Sequence, residues 1–231
     1  GFTGGGNQTI PELTVELIST YNDQTASFAT PYGSFMRNFI VHTPPNFDYQ
    51  TESLPLLFVL HGYTGRAPSM REYSGFDQIA DEERFIVVYV QGTTDQFGNT
   101  GWNVNVVASF LGVDDVGFFK ALIKYFKASY NIDSNKIFSS GMSLGGFMSY
   151  RLACELEEIN SIGSVTGSMA GYYQCNPPKK SSIIHLHGMN DAIVPYNGVE
   201  WSFSAKAAHD FWKNHNQCNS QNEITIPDFN G

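Results

Sequence analysis

The chain has 231 residues, 42% of them hydrophobic, and a formal net charge of -9. We take residues 1–231 as one α/β domain, because this length can bury one sizeable core. With 13 basic against 22 acidic residues, the surface lacks the positive charge that phosphate backbones and anionic lipids attract, so we expect neither nucleic acid nor a membrane as a partner.

The first half of the chain predicts strands separated by a helix. TVELIST (14–20) and FMRNFIVHTP (35–44) are predicted to form an antiparallel hairpin. LPLLFVLHG (54–62) and RFIVVYVQG (84–92) are apolar runs that end in glycine, which is typical of strands buried on both faces of a parallel sheet. A helix is predicted between these two runs, from Ser69 to Glu83.

The second half continues the alternation of helix and strand. The predicted elements are a helix after Asp114, a strand KIFSS (136–140), a helix after Ser143, strands INSIGSVTG (159–167) and SIIHLHG (182–188), and a helix VEWSFSAKAAHDFWKNH (199–215). This order favours an α/β fold with a mostly parallel sheet, helices on both faces and an antiparallel hairpin at the N-terminus. In such sheets the chemistry lies at the carboxyl ends of the strands.

The segment Gly141-Met142-Ser143-Leu144-Gly145 matches the pattern G-x-S-x-G. The pattern alone is weak, since a chance match has a probability of roughly one in five. Its position after a predicted buried strand and before a predicted helix is typical of a nucleophile elbow, which lifts a serine Oγ to the top of a sheet. We therefore predict Ser143 as a nucleophile; the alternative is a tight loop.

A serine nucleophile needs a base, and the base needs an acid that orients it. In hydrolases of this type the acid follows the serine and precedes the histidine. Asp191 follows the last predicted strand and is the predicted acid. The alternative is an ordinary turn aspartate that binds its own backbone.

An oxyanion hole of this type takes one N–H from the residue after the nucleophile and one from the loop after an earlier strand. Leu144 and Tyr63 are the predicted donors, and His61 is interpreted as structural. Trp102 is predicted to bind substrate by stacking; the equal alternative is that it packs beneath its loop. His185 and His187 share one face of a strand, but no acidic or cysteine ligand is near in sequence, so we expect no metal.

Three cysteines leave one without a partner if two of them pair. A bridge between Cys154 and Cys175 would stabilise the fold by about 3 kcal/mol in the chain-entropy model. The alternative is a pair of small buried thiols. Cys218 is the remaining cysteine.

Several motifs together resemble a known family. LHGYTG, Trp102-Asn103, VDDVGF (113–118), GMSLGGFMSYRLAC and HGMNDAIVPYNG occur in the order and spacing of the secreted polyhydroxybutyrate depolymerase-like esterases, which are similar to the feruloyl and acetylxylan esterases of carbohydrate esterase family one. The resemblance covers about Arg37 to Cys218. It implies an α/β-hydrolase fold, secretion, no cofactor, a triad containing Ser143 and Asp191, and a Cys154–Cys175 disulfide.

The chain departs from this family after residue 218. Family members carry the catalytic histidine in a Gly-Gly-His-x-Trp-Pro segment, and none of the six histidines here fits that pattern. His209 and His215 lie in the last predicted helix, where a packing or surface role is favoured. We expect that residues 1–231 lack a C-terminal segment that carries the base and the partner of Cys218.

The predicted function is that of a secreted, monomeric serine carboxylic-ester hydrolase that forms an acyl-enzyme. Its expected substrates are feruloyl or acetyl esters of plant polysaccharide. The alternatives are a polyhydroxyalkanoate depolymerase that acts on polyester and, if no catalytic histidine exists, a non-catalytic binding module of the same fold.

Overall fold

In the part of the chain that the structure describes, residues 14–17, 23–30, 33–220, 222 and 224, an eight-stranded sheet forms the centre of the fold. The structure is a computed structural model that describes side chains from residue 36 onward. The strands of this sheet are β1 (Thr14–Leu17), β2 (Asp23–Thr30), β3 (Gly33–His42), β4 (Leu54–Leu60), β5 (Ile86–Val90), β8 (Ile132–Met142), β9 (Ser161–Val165) and β10 (Ser182–Leu186), while β6 (Thr93–Thr94) and β7 (Thr100–Gly101) pair with each other.

Helices cover both faces of the sheet. α1 (Ala67–Ser74) and α2 (Phe76–Glu83) pack on the face formed by Leu57, Val59 and Val87, and three further helices pack on the face formed by Leu56 and Phe58. The helices are α1 (Ala67–Ser74), α2 (Phe76–Glu83), α3 (Asp115–Ser129), α4 (Leu144–Glu155) and α5 (Ala205–Asn216), with a 3-10 turn at Ala108–Phe110. In the described residues, no helix is long and apolar enough to cross a membrane.

The strand order is β1-β2-β3-β5-β4-β8-β9-β10. β5, β4, β8, β9 and β10 pair in parallel, and β1, β2 and β3 pair antiparallel at one end. The predicted fold class is therefore confirmed. The predicted pairing of segments 14–20 and 35–44 is wrong, because β2 lies between them and pairs with both. The segment DQTASFAT contains few bulky apolar residues, so its sequence gives little sign of a strand.

Two predicted helices have different bounds in the structure. The helix predicted from Ser69 to Glu83 is two helices, because Gly75 adopts a left-handed conformation with φ 65°. α5 begins at Ala205 rather than Val199, since the Ser204 side chain caps it by accepting the Ala207 N–H at 3.0 Å.

Strand register sets the positions of the site residues. Met142, Val165 and Leu186 are aligned across the carboxyl ends of β8, β9 and β10. Neighbouring strands lie about 4.8 Å apart, so the residues that follow β8 and β10 are separated by about 10 Å. Ser143 follows β8 directly, and the loop that carries Asp191 follows β10. The two predicted triad members therefore leave the same edge of the sheet.

Candidate active site

Ser143 occupies a strained turn between β8 and α4. Its φ of 52° and ψ of -120° lie in a region that residues with a side chain rarely adopt, at a cost of roughly 1–3 kcal/mol. Its N–H donates to the carbonyl oxygen of Val165 at 2.8 Å, so β9 holds the turn in place. Strand, strained serine and helix follow one another as the predicted elbow requires.

The glycines around Ser143 allow close backbone contacts. A β-carbon on Gly141 would lie 2.9 Å from the Cα of Gly145, and one on Gly146 would lie 3.1 Å from the Cα of Gly167. A β-carbon on Gly167 would in turn lie 2.5 Å from the carbonyl oxygen of Ser143. Side chains at these positions would push the first turn of α4 away from the sheet.

The two predicted oxyanion donors lie beside the elbow. Leu144 is the first residue of α4, so its N–H has no partner within the helix. Neither this N–H nor that of Tyr63 donates to a backbone carbonyl among the described residues. A β-carbon on Gly62 would lie 3.4 Å from the Cβ of Ser143, which places the Gly62–Tyr63 loop next to the serine. Two N–H groups that donate to no backbone carbonyl in the described residues therefore lie beside the turn at Ser143.

His61 supports this loop. Its Nδ1–H donates to the carbonyl oxygen of Gly62 at 2.7 Å, and its Nε2 accepts the Gly92 N–H at 2.9 Å and a Gln91 amide N–H at 3.0 Å. The residue is 2% exposed, and burial lowers the pKa of His61 to about 4. The ring is therefore neutral at pH 7 and has the structural surroundings that the sequence predicts for it.

Trp102 is buried, and its predicted role in substrate stacking is wrong. Its exposed fraction is 0%, its Nε1–H donates to the carbonyl oxygen of His61 at 2.9 Å, and its ring packs against Phe119. The buried carboxylate of Asp115 accepts the Asn103 N–H at 2.7 Å and closes the loop over the indole. The alternative, packing beneath the loop, is the correct one.

Asp191 lies in the loop after β10. Its Oδ1 accepts the N–H groups of Ile193 at 2.8 Å and Val194 at 2.9 Å, as in the turn that the alternative interpretation describes. These bonds, that of Val194 first, hold the pKa of Asp191 below its usual value. Its Oδ2 lies 3.7 Å from Nε2 of His187. Asp191 is therefore an ionised carboxylate that binds its own turn through one oxygen and can accept a further hydrogen bond through the other.

All six histidines lie in the described part of the chain, and no hydrogen bond joins any of them to Ser143 there. Within the same residues, no group of three or more histidine, cysteine, aspartate or glutamate side chains is placed to hold a metal ion. The partners of the histidines are Asp81 for His42, Gly62 for His61, Tyr150 for His185, Val194 for His187, Asp210 for His209 and Lys179 for His215.

The predicted disulfide is present. Cys154, in the last turn of α4, is bonded to Cys175 with a Cα–Cα distance of 5.0 Å. It ties the end of α4 to the segment that precedes β10. Cys218 is a free, exposed thiol.

Sequence reasoning missed the aromatic loop, which is the loop before α5 that places Trp201 beside α4. Trp201 is half-buried, its ring lies 6.2 Å from that of Phe147, and its carbonyl oxygen accepts the Gly171 N–H at 2.9 Å. Phe147 lies one turn after Ser143, and helical side chains lean toward the N-terminus of their helix. Trp201 therefore packs on α4 one turn after Ser143. Its assignment to the last predicted helix hid this position.

No family model matches the chain, but curated proteins do. The chain is 27% identical over 206 residues to a bifunctional acetylxylan esterase/xylanase of Neocallimastix patriciarum, across 85% of this chain and 26% of that protein. It is 27% identical over 167 residues to feruloyl esterase B of Piromyces equi, across 70% of this chain and 30% of that protein. A probable feruloyl esterase C of Aspergillus clavatus is 27% identical over 170 residues, across 70% of this chain and 57% of that protein. The chain thus spans between 26% and 57% of these relatives.

Solved structures show the same fold. The carboxylesterase of Bacillus cereus matches with a TM-score of 0.59 and 19% identity, over 78% of this chain and 81% of that one. A thermostable esterase matches with a TM-score of 0.57 and 17% identity, over 77% of this chain and 49% of that one. The predicted resemblance is confirmed: this chain has the α/β-hydrolase fold and is similar in sequence to feruloyl and acetylxylan esterases, which are carboxylic-ester hydrolases.

Proposed function

We propose that the protein is a serine carboxylic-ester hydrolase that works through an acyl-enzyme. The observation that carries the proposal is the strained turn at Ser143, with φ 52°, between β8 and α4. The N–H groups of Leu144 and Tyr63 beside this turn supply an oxyanion hole, and Asp191 leaves the same sheet edge two strands away. Strain of this kind persists where the surrounding structure enforces it, most often at functional sites.

The chemistry follows from these groups. The Oγ of Ser143 attacks the ester carbonyl carbon while a histidine takes its proton. The N–H groups of Leu144 and Tyr63 bind the oxyanion, each contributing about 3 kcal/mol to transition-state stabilisation. The C–O bond of the ester breaks, and the alcohol leaves with the proton from the histidine. Water then attacks the acyl-enzyme, the histidine takes the proton of the water and returns one to Ser143, and the carboxylic acid is released.

We propose that Asp191 orients this histidine through Oδ2. Each histidine of residues 1–231 binds a group other than Ser143, so we place the base in a segment of the protein outside these residues, as the family resemblance implies. The same segment would supply a partner for the exposed thiol of Cys218.

The substrates that we propose are feruloyl or acetyl esters of plant polysaccharide. The names of the relatives support acyl groups of both kinds. Two aromatic side chains near the serine, Tyr63 at 43% exposure and the half-buried Trp201, offer faces on which an aromatic acid could stack. We also propose secretion, which the Cys154–Cys175 disulfide supports because such bonds persist in oxidising compartments, and a monomeric state.

Hydrolysis assays on the full-length natural protein test the proposal. We expect turnover of p-nitrophenyl acetate and methyl ferulate, and a loss on the order of 10⁶-fold in kcat for the Ser143→Ala variant. Ser134→Ala, at an exposed position of β8, is the matched control and should keep full activity. Turnover that survives Ser143→Ala would refute the proposal. Binding of xylan without any hydrolysis would favour the non-catalytic module, and preference for poly(3-hydroxybutyrate) would favour the polyester alternative.

A further inference from the structure

Three side chains form a continuous hydrogen-bonded chain between α4 and the loop that carries Asp191. The hydroxyl of Tyr150 lies 2.7 Å from Nδ1 of His185, and Nε2 of His185 lies 2.9 Å from Nδ1 of His187. Nε2 of His187 lies 2.8 Å from the carbonyl oxygen of Val194. Tyr150 is 1% exposed and the His187 side chain 2%, so water competes little for these bonds.

The fold brings these residues together from two elements. Tyr150 lies two turns after Ser143 on α4, so it belongs to the helix that begins at the nucleophile. His185 and His187 are two residues apart at the end of β10 and therefore face the same side of the sheet. The contact between Tyr150 and His185 shows that this side is the one that α4 covers. The chain of bonds thus crosses from the nucleophile's helix to the strand that precedes the acid.

The carbonyl oxygen of Val194, the last acceptor, determines the position of each proton in this series of hydrogen bonds when both rings are neutral. A carbonyl oxygen only accepts, so Nε2 of His187 carries the hydrogen in its bond to Val194. In a neutral ring Nδ1 of His187 is then an acceptor, and Nε2–H of His185 must donate to it. Nδ1 of His185 is an acceptor by the same reasoning, so the Tyr150 hydroxyl donates.

The surroundings of His185 and Tyr150 keep these two groups in the protonation states just described. Burial lowers the pKa of His185 to about 4. Burial raises the pKa of Tyr150 above its usual value, so the hydroxyl keeps its proton at pH 7. The other titratable groups that face these side chains in the described residues are Tyr196, whose ring centroid lies 5.9 Å from that of His187, and Asp191, whose Oδ2 lies 3.7 Å from Nε2 of His187. When both rings are neutral, this arrangement of protons is the one that satisfies every bond.

The last hydrogen bond of this series connects to the predicted acid through Val194. Val194 accepts from His187 through its carbonyl oxygen and donates through its N–H to Oδ1 of Asp191 at 2.9 Å. Val194 is thus hydrogen-bonded both to His187 and to the carboxylate of Asp191. A shift of His187 would move Val194, and with it the carboxylate.

We propose that Tyr150, His185 and His187 are positioning residues for the esterase reaction. They set the distance between α4 and the Asp191 loop, so that the carboxylate meets the base at a fixed place relative to Ser143. The inference rests on the proposed function, because it takes Ser143 as the nucleophile and Asp191 as the acid. No group of the chain contacts the reacting atoms; the three residues act through Asp191.

Histidine tautomers test the proton order without any activity measurement. In the full-length protein with ¹⁵N-labelled histidine, NMR correlations should show that His185 and His187 are both protonated at Nε2 and that Nδ1 of each ring is an acceptor. Loss of one signal set in His185→Gln and of another in His187→Gln assigns them. A ring protonated at Nδ1, or a charged ring, at either position would overturn the proposal.

Kinetics test the positioning role. A displacement of about 1 Å in a catalytic group lowers the rate on the order of 10²-fold, so we expect a fall of about that size in kcat for His187→Leu and a smaller fall for Tyr150→Phe, with KM within about twofold. His187→Gln keeps an amide N–H for Val194 and should recover a large part of kcat, which a loss of folded protein would not explain. The matched control is His209→Gln, at a side chain 58% exposed, and it should behave as the wild type.

The outcomes separate this inference from the proposed function. Unchanged kcat in both His187→Leu and Tyr150→Phe, in a protein that Ser143→Ala inactivates, would overturn the positioning role alone. Retained activity in Ser143→Ala would overturn the proposed function and the positioning role together.

Discussion

The carbonyl oxygen of His61 lies 2.7 Å from the position that a β-carbon on Gly145 would occupy. The carbonyl oxygen of Leu60 is nearer still, so the first turn of α4 rests directly on the end of β4. Gly145 is therefore required by the approach of two backbones, at the place where α4 meets the end of β4 and the loop that follows it.

We expect Gly145→Ala to destabilise the protein by roughly 1–3 kcal/mol, because overpacking forces the backbones apart. Urea unfolding measures this change. The matched control is Gly188→Ala, since a β-carbon on Gly188 would meet no atom within 4 Å. Equal free energies of unfolding for the two variants would show that the close contact at Gly145 does not constrain the fold.

The serine turn could be predicted from sequence because close contacts of this kind require glycine at fixed positions around the serine. The elbow depends on glycines and a serine within five consecutive residues, so the pattern contains most of the geometry. The two tryptophans show the opposite case. Trp102 is buried because its indole N–H reaches the carbonyl of His61, and Trp201 lies beside α4 because its loop binds Gly171. Neither contact is local in sequence, so the pattern alone could not decide which indole is accessible.

The histidine pair is an intermediate case. Alternation along β10 correctly predicts that His185 and His187 share a face of the sheet. The group that meets them is Tyr150, on another element, so no pattern along β10 indicates a polar partner. Because no further metal ligand lies near them in sequence, the two histidines had no predicted role. Their proposed role depends on the contact between β10 and α4, which is not local in sequence.

The disulfide allows a stability prediction. Replacing Cys154 and Cys175 by alanine should lower the free energy of unfolding by about 3 kcal/mol. For a domain of this size that corresponds to a fall in Tm of about 6–12 °C, which circular dichroism can follow. A reducing agent should lower the Tm of the wild type and leave that of the double variant unchanged. Equal melting temperatures for wild type and variant without reductant would contradict the prediction.

His61 gives the protein a pH-dependent stability. Its pKa is about 4 in the folded state against about 6.5 in the unfolded chain, so the unfolded chain binds the proton first as the pH falls. The stability that the neutral ring contributes is fully present above pH 6.5 and is lost between pH 6.5 and about 4, to a total of about 3 kcal/mol.

Urea unfolding between pH 7 and 4.5 measures this contribution. In the His61→Gln variant, the slope of the unfolding free energy against pH should be shallower by up to about 1.4 kcal/mol per pH unit. His209→Gln replaces an exposed histidine and should leave the slope unchanged. A wild-type slope in the His61→Gln variant would show that His61 takes up its proton equally in both states.

The aromatic loop gives a prediction about substrate choice. If Trp201 offers its face to the acid part of the substrate, Trp201→Ala should raise KM for methyl ferulate by roughly 3- to 10-fold, since aromatic contacts contribute about 0.5–1.5 kcal/mol beyond their area. The KM for p-nitrophenyl acetate should change less, because its acyl group is a methyl. The matched control is Trp102→Phe, since the indole of Trp102 is 0% exposed and cannot reach a substrate; its effect should appear in stability and be equal for the two esters. An equal rise in KM for both esters in Trp201→Ala would mean that Trp201 supports the fold of the site and does not select the acid.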